Sequence, residues 1–267
     1  MADIVLSPPL AEPIHLDEAR THLRAPSGDT SQDALIRRAI VAARRHAESY
    51  CRIAIVRQQR QLSLAAFPCE IELPVGPLRA VQSIEYVDTA GALQTLSASA
   101  YRVDKYAERG RIEPAYGTVW PSTLEVSNAV IVKYTAGMVV PVSAVDAGTD
   151  TLTAYGHDLA ASDPVRLANS GGAVPAGLSD ATPYYVKAPS ADTLQVSLTA
   201  GGAAVDITGA GTGQSFIGQV PDDIVAALLL LVGHFYEHRE QNSDFETYAL
   251  PLGAERILSP YRLIRFG

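Results

Sequence analysis

The chain has 267 residues, 47% of them hydrophobic and 19% charged, a composition that excludes an intrinsically disordered protein. Its 21 basic and 29 acidic residues leave a formal charge of −8, which argues against gripping nucleic acid over the whole surface through clustered Lys and Arg. The two cysteines, Cys51 and Cys69, make neither a disulfide framework nor a metal-ligand spacing, and they fit a reducing, cytosolic folding environment.

The first eleven residues read as a polar, proline-rich arm, with no basic-then-apolar pattern of a secretory signal. Residues 16–24 then carry acids early and bases late, which suits a short helix and its dipole, and Pro26-Ser27-Gly28 stops it. A longer helix is predicted to run to about Tyr50. Leu35, Ile36, Ala39, Ile40, Ala43, Ala47 and Tyr50 recur at helical spacing, with Arg37, Arg38, Arg44, Arg45 and Glu48 on the remaining positions. From Ile53 the period falls to two. Strands are predicted at 57–64, 70–73, 81–87, 93–96, 101–103 and 129–134, separated by turn signals such as Pro74-Val75-Gly76-Pro77.

Composition shifts over 142–219, which holds 11 of the 20 glycines, no glutamate, and seven Asp against one Arg and one Lys. Short β-like runs at 163–167, 184–187 and 193–198 predict a separate β module inserted in the host fold. Val220-Pro221-Asp222-Asp223 then opens a helix to about Glu240, with Ile224, Leu228, Leu231, Val232 and Phe235 facing a core. Its apolar run at 225–232 is too short to cross a bilayer, so no membrane association is expected. The last segment, 250–267, mixes arginines with Ile257, Leu258, Tyr261, Leu263 and Phe266, and wants a partner surface. The expected class is α+β, with a helical-bundle core, a small antiparallel β portion and an inserted all-β domain. The expected boundaries are 1–141, 142–219 and 220–267.

One motif invites an enzymatic reading. His234-Phe235-Tyr236-Glu237-His238 matches the inverted zinc-protease pattern H-x-x-E-H, in which two histidines a helical turn apart hold zinc and the glutamate is the base. The third ligand would have to come from Glu240, Glu246 or Glu255, and a cationic, aromatic helix end meeting a neighbouring subunit outweighs that reading. Gly209-Ala210-Gly211-Thr212-Gly213 has no Lys after it and reads as a turn linker, not a phosphate loop. The Arg37, Arg38, Arg44, Arg45 cluster reads as a solvated or intersubunit salt-bridging face before a DNA-phosphate contact. Neither a catalytic residue nor a cofactor or metal site is assigned.

The order of these segments resembles the head–tail connector (adaptor) proteins of long-tailed phages and gene transfer agents. The residues that carry the likeness begin with Leu16-Asp17-Glu18-Ala19-Arg20 and Asp33-Ala34-Leu35-Ile36 leading into Ala42-Ala43-Arg44. Ile71-Glu72-Leu73-Pro74, Tyr101-Arg102-Val103, Tyr116-Gly117 with Trp120-Pro121, and Val132-Lys133-Tyr134-Thr135-Ala136-Gly137 follow. Val220-Pro221, Gly233-His234-Phe235, Leu250-Pro251-Leu252-Gly253 and Pro260-Tyr261-Arg262 close the series. In relatives the Tyr-Thr-Ala-Gly strand leads almost directly into the Val-Pro helix, so the 78-residue stretch 142–219 that intervenes here is a departure. That stretch resembles small β modules of phage tail and fibre proteins through His157-Asp158-Leu159 and Tyr184-Tyr185-Val186.

The resemblance implies a structural, non-enzymatic subunit of a homo-oligomeric ring of twelve, assembled in the host bacterial cytoplasm and placed at the neck of the virion. The implied partners are the portal protein above and a tail-side stopper or tail-terminator protein below. Genomic DNA would pass through the channel without sequence-specific binding. Expected interface residues are Leu228, Leu231, Phe235, Tyr236, Arg239, Arg256, Tyr261, Arg262, Leu263 and Phe266. Two other readings are carried: a virion receptor- or carbohydrate-binding protein acting through 142–219, with Tyr184-Tyr185 and the Asp residues serving sugar or calcium, and the zinc hydrolase.

Overall fold

The structure, a computed structural model, describes residues 2–26, 28–238 and 252–263. The described residues fall into two compact units, each gathered from separated stretches: those of 2–9, 52–137 and 263 form the first, and those of 10–51 and 138–262 the second. Helices and antiparallel strands are both well represented, so the chain is of mixed α+β class.

The first unit holds β1 (Ala2–Ser7), β2 (Gln58–Leu64), β3 (Ile71–Glu72), β4 (Leu78–Val87), β5 (Leu93–Thr95), β6 (Tyr101–Asp104), β7 (Arg111–Pro114) and β8 (Val130–Ala136). Five of these form an antiparallel sheet in the order β1-β2-β8-β4-β5, and β3-β7-β6 form a second. Alternation decides which side chains go inward. Val130, Val132, Tyr134 and Ala136 of β8 are fully buried, and Leu62 of β2 and Ile84 of β4 stand opposite Val132 on either side. Each of the valine, leucine and isoleucine side chains contributes about 1.5–3 kcal/mol by leaving water. Gly137, which ends the Tyr-Thr-Ala-Gly run, has φ +149, and a Cβ there would lie 2.5 Å from the Arg57 backbone. The run therefore needs glycine at its close.

Two first-unit features depart from expectation. Residues 2–7 are an edge strand and not an unstructured arm, because Ile4-Val5-Leu6 form a β-prone run and Asp3 is held from below. Tyr134 Oη donates to Asp3 at 2.9 Å and Arg60 Nε at 3.0 Å. Strand β7 was not expected, since Arg111, Glu113 and Pro114 mask its alternation. Only Ile112, fully buried, marks its inner face.

The second unit contains α1 (Leu16–His22), α2 (Asp33–Cys51), α3 (Asp222–Glu237), α4 (Leu252–Leu258) and eight strands. These are β9 (Val140–Pro141), β10 (Ala144–Asp146), β11 (Thr151–Thr153), β12 (Pro164–Val165), β13 (Leu167–Ala173), β14 (Tyr184–Lys187), β15 (Thr193–Ser197) and β16 (Thr212–Ile217). The strands make two sheets, β10-β11-β15-β14-β12 and β13-β16-β9, around Leu152, Val165, Leu167, Tyr184, Leu194 and Ile217. Residues 142–219 thus share a compact unit with the helices. One link is explicit: the His15 backbone N–H donates to Ser170 Oγ on β13 at 2.6 Å, and that hydroxyl donates to Glu18 on α1. A Cβ on Gly171 would come within 2.5 Å of the His15 ring, so β13 runs close beneath the helix entry.

Helix α2 buries Ile36, Ala39, Ile40, Ala43 and Ala47 of the expected face and Cys51 beyond it, leaves Leu35 and Tyr50 half-buried, and packs along α3, which in turn packs along α4. Arg44 is the exception to the arginine series. It is only 4% exposed, bonded to Glu12 (2.6 and 3.0 Å) and to Glu48 (2.7 Å), whereas Arg37, Arg38 and Arg45 are exposed. Among the described residues no helix is long and apolar enough to cross a membrane.

Candidate assembly surface

The apolar positions predicted for an interface fall in three places. Leu228 and Leu231 are buried in the second unit's own core beside Ile224, Ala227 and Val232, while Phe235 and Tyr236 are half-buried near the end of α3. The period that marks a helix face is the same whether the face meets its own chain or another. Arg239 and Phe266 lie outside the described residues.

The C-terminal segment is helical as α4, then makes one tight turn at Ser259–Tyr261. Tyr261 Oη lies 2.8 Å from both carboxylate oxygens of Asp223 at the start of α3, and this hydrogen bond raises the tyrosine's pKa. Arg262, exposed, sets its guanidinium 5.1 Å from the Tyr50 ring centre at the end of α2. Beneath it Cys51 is fully buried and donates to the Leu258 carbonyl at 3.5 Å; burial pushes its thiol up to about 11. Arg256 is exposed. Leu263 belongs to the first unit, where Arg109 Nη2 donates to its carbonyl at 2.6 Å and Nη1 reaches Glu72 at 3.3 Å.

Residue types that suggested chemistry are mostly accounted for by local structure. The His234 and His238 rings stack at 4.6 Å between centres, and burial followed by the neighbouring His238 lowers the pKa of His234. His238 Nδ1 lies 3.1 Å from the His234 carbonyl, a helix-terminus contact. Among the described residues no group of three or more His, Cys, Asp or Glu is arranged to hold a metal. Strand alternation splits the Tyr184-Tyr185 pair: Tyr184 is buried with its Oη accepting from the Ser179 N–H at 2.9 Å, and Tyr185 is half-buried. Asp146 accepts the Gly148 N–H and shapes a turn, while Asp150 and Asp192 accept from Ile207 and Gly156 and tie together segments distant in sequence. His157 is buried, with Nδ1 accepting from the Leu159 N–H at 3.0 Å.

A cleft of about 450 Å³ in the second unit is lined by Glu18, Arg166, Asn169, Ser170, Asp180 and Gln219. Its charges are of both signs, and Glu18 accepts from the Ser170 hydroxyl, which itself accepts the His15 N–H. The described surface also offers exposed apolar and aromatic groups. Tyr106, Tyr116 and Val119 are at least 87% exposed in first-unit loops, and Ile4, Val5 and Leu6 lie on the edge strand β1. Sequence reading missed these, since three of the six are ordinary loop residues whose exposure only the fold reveals.

Residues 13–91, from just before α1 to the turn ahead of β5, match the model of the phage gp6-like head–tail connector protein family. Comparison with curated proteins returns no match. Among solved structures, a chain in the neck of an empty GTA particle computed with C6 symmetry is 20% identical, with a TM-score of 0.57 over 100% of this chain and 97% of that one. A chain in the virion of a native gene transfer agent particle gives 19% identity and 0.57 over the same shares. A chain in the neck of a native GTA particle computed with C12 symmetry gives 18% and 0.52, again over 100% and 97%. At such identities the likeness is one of fold. The matched span runs the length of this chain. The resemblance read from the sequence is therefore upheld: residues 13–91 match the phage gp6-like head–tail connector family, and the fold is like that of chains in gene-transfer-agent particles.

Proposed function

We propose that the chain is a structural subunit of the head–tail connector of a tailed phage or gene transfer agent. Copies form a closed ring of twelve beneath the portal, joining capsid to tail and leaving a channel for DNA. The observation that carries this reading is the family match over 13–91 set inside a full-length fold likeness to chains of GTA particles, two of them in the neck. Helices α1 to α4 serve as the connector core, as a helical bundle, and residues 142–219 as a β module attached to it. Exposed Arg256 and Arg262, together with Tyr261, Leu263 and the end of α3 at Phe235 and Tyr236, form surface for a neighbouring subunit or the portal. The tail-side face receives the next neck protein, a stopper or terminator.

The work is geometric, and no catalytic step is assigned to it. A net charge of −8 per subunit gives a ring that repels the DNA backbone, so the genome slides through without sequence-specific binding. Assembly in the host bacterial cytoplasm fits a buried, protonated Cys51 and an exposed, unpaired Cys69.

The test is the mass of the purified chain by light scattering, alone and mixed with its portal. A discrete ring in either condition is expected. A chain that stays single and does not bind the portal would remove the reading.

A further inference from the structure

The two long helices of the second unit carry opposite charge on the faces turned away from their shared core. On α2, Ala34, Arg38, Ala42, Arg45 and Ser49 follow one another at helical spacing and are all exposed, with Arg37 at the margin. The core-facing residues Ile36, Ala39, Ile40, Ala43 and Ala47 occupy the opposite side. Among the described residues Arg37, Arg38 and Arg45 have no ion-pair partner, while Arg44, one position away, is fully engaged within the chain.

On α3 the outward side carries Asp222, Asp223, Ala226, Leu230 and Glu237, with Leu230 40% exposed and the others also exposed. This side holds three acids and no base. The helices have 19 and 16 residues, or about 28 and 24 Å, so the two faces are of similar length. Alanines between the charges on both let another helix approach closely.

We propose that the basic outer face of α2 docks on the acidic outer face of α3 of a second copy of this chain. The inference rests on the ring reading above and names the surfaces that would build the ring. Charge sets the mode of pairing. A two-fold contact through either face would set Arg against Arg or Asp against Glu, which is repulsive. A head-to-tail contact joins opposite signs, leaves one face of each kind free, and repeats until the ring closes. The alternative occupant of the arginine face is a DNA phosphate backbone. The chain's overall charge of −8 disfavours it, and the matching acidic face on the same unit has no role in it.

The experiment compares full-length chains by mass in solution, alone and with portal-bearing capsids, at about 0.05 M and about 0.5 M salt. The chains are wild type, the variant R37E/R38E/R45E, and that variant with D222K and E237K added. Asp223 is left in place because it accepts from Tyr261. Circular dichroism checks each fold, and R38Q/R45Q serves if the reversed set is unstable. Wild type should assemble more readily at low salt. The arginine variant should need about tenfold more protein to assemble, from the exposed ion pairs lost at each contact, and adding D222K and E237K, with Asp223 unchanged, should restore most of the assembly.

An arginine variant that assembles like wild type overturns the inference while leaving the ring standing. The same result with lost retention on duplex DNA assigns the face to nucleic acid instead. Wild type that stays single with and without portal removes the ring reading itself, whatever the variants do.

Discussion

Arg44 shows how a residue can be counted on the wrong side of a helix. By spacing it belongs with neighbouring arginines, yet its stem lies at the edge of the buried face, where Glu12 and Glu48 receive its guanidinium. Removing it leaves two carboxylates facing each other at a partly buried site. Arg44→Ala should therefore cost about 2–3 kcal/mol in a urea titration, whereas Arg45→Ala should stay within about 0.5 kcal/mol. Cys51 and Cys69 make the complementary test of burial. At about pH 8 a thiol reagent should modify Cys69 alone in the folded chain and both cysteines after unfolding. The sign of the pH effect follows from the raised thiol. Protonated Cys51 contributes stability that is whole below pH 9.0, and this is lost as pH rises toward about 11. Melting curves taken across that range should show the loss in wild type and a smaller one in Cys51→Ala.

Strand β1 and strand β13 carry the next scale, because each ties its neighbours through one polar side chain. Asp3 on β1 accepts from both Arg60 and Tyr134, so Asp3→Ala should cost about 2–3 kcal/mol by leaving a buried guanidinium and phenol without their acceptor. Ser170→Ala should cost about 1–2 kcal/mol, since Glu18 and the His15 N–H both lose their partner. Chemical denaturation of each variant checks both. Elements with clean periodicity, α2, α3, β8 and β14, were legible from sequence to within a few residues. Those defined by a single inward residue were not: β7 shows only Ile112, and β1 hides Ile4-Val5-Leu6 between a polar start and two prolines. The candidate surface was legible only in part, for the same reason. A period of apolar residues marks a buried face without saying which chain buries it, and Leu228 and Leu231 proved to be buried by their own.

At the scale of the whole molecule, the chain passes between its two compact units four times, after residues 9, 51, 137 and 262. Neither unit is a continuous fragment, and neither can be expressed by cutting the sequence once. Residues 142–219, where glycine and acid content change, lie wholly within the second unit. Four peptide crossings join the two units, and a single nick at any one of them leaves three covalent tethers. A chain clipped once at a crossing should therefore elute with the mass of the intact chain under native conditions and separate into two fragments only on denaturation.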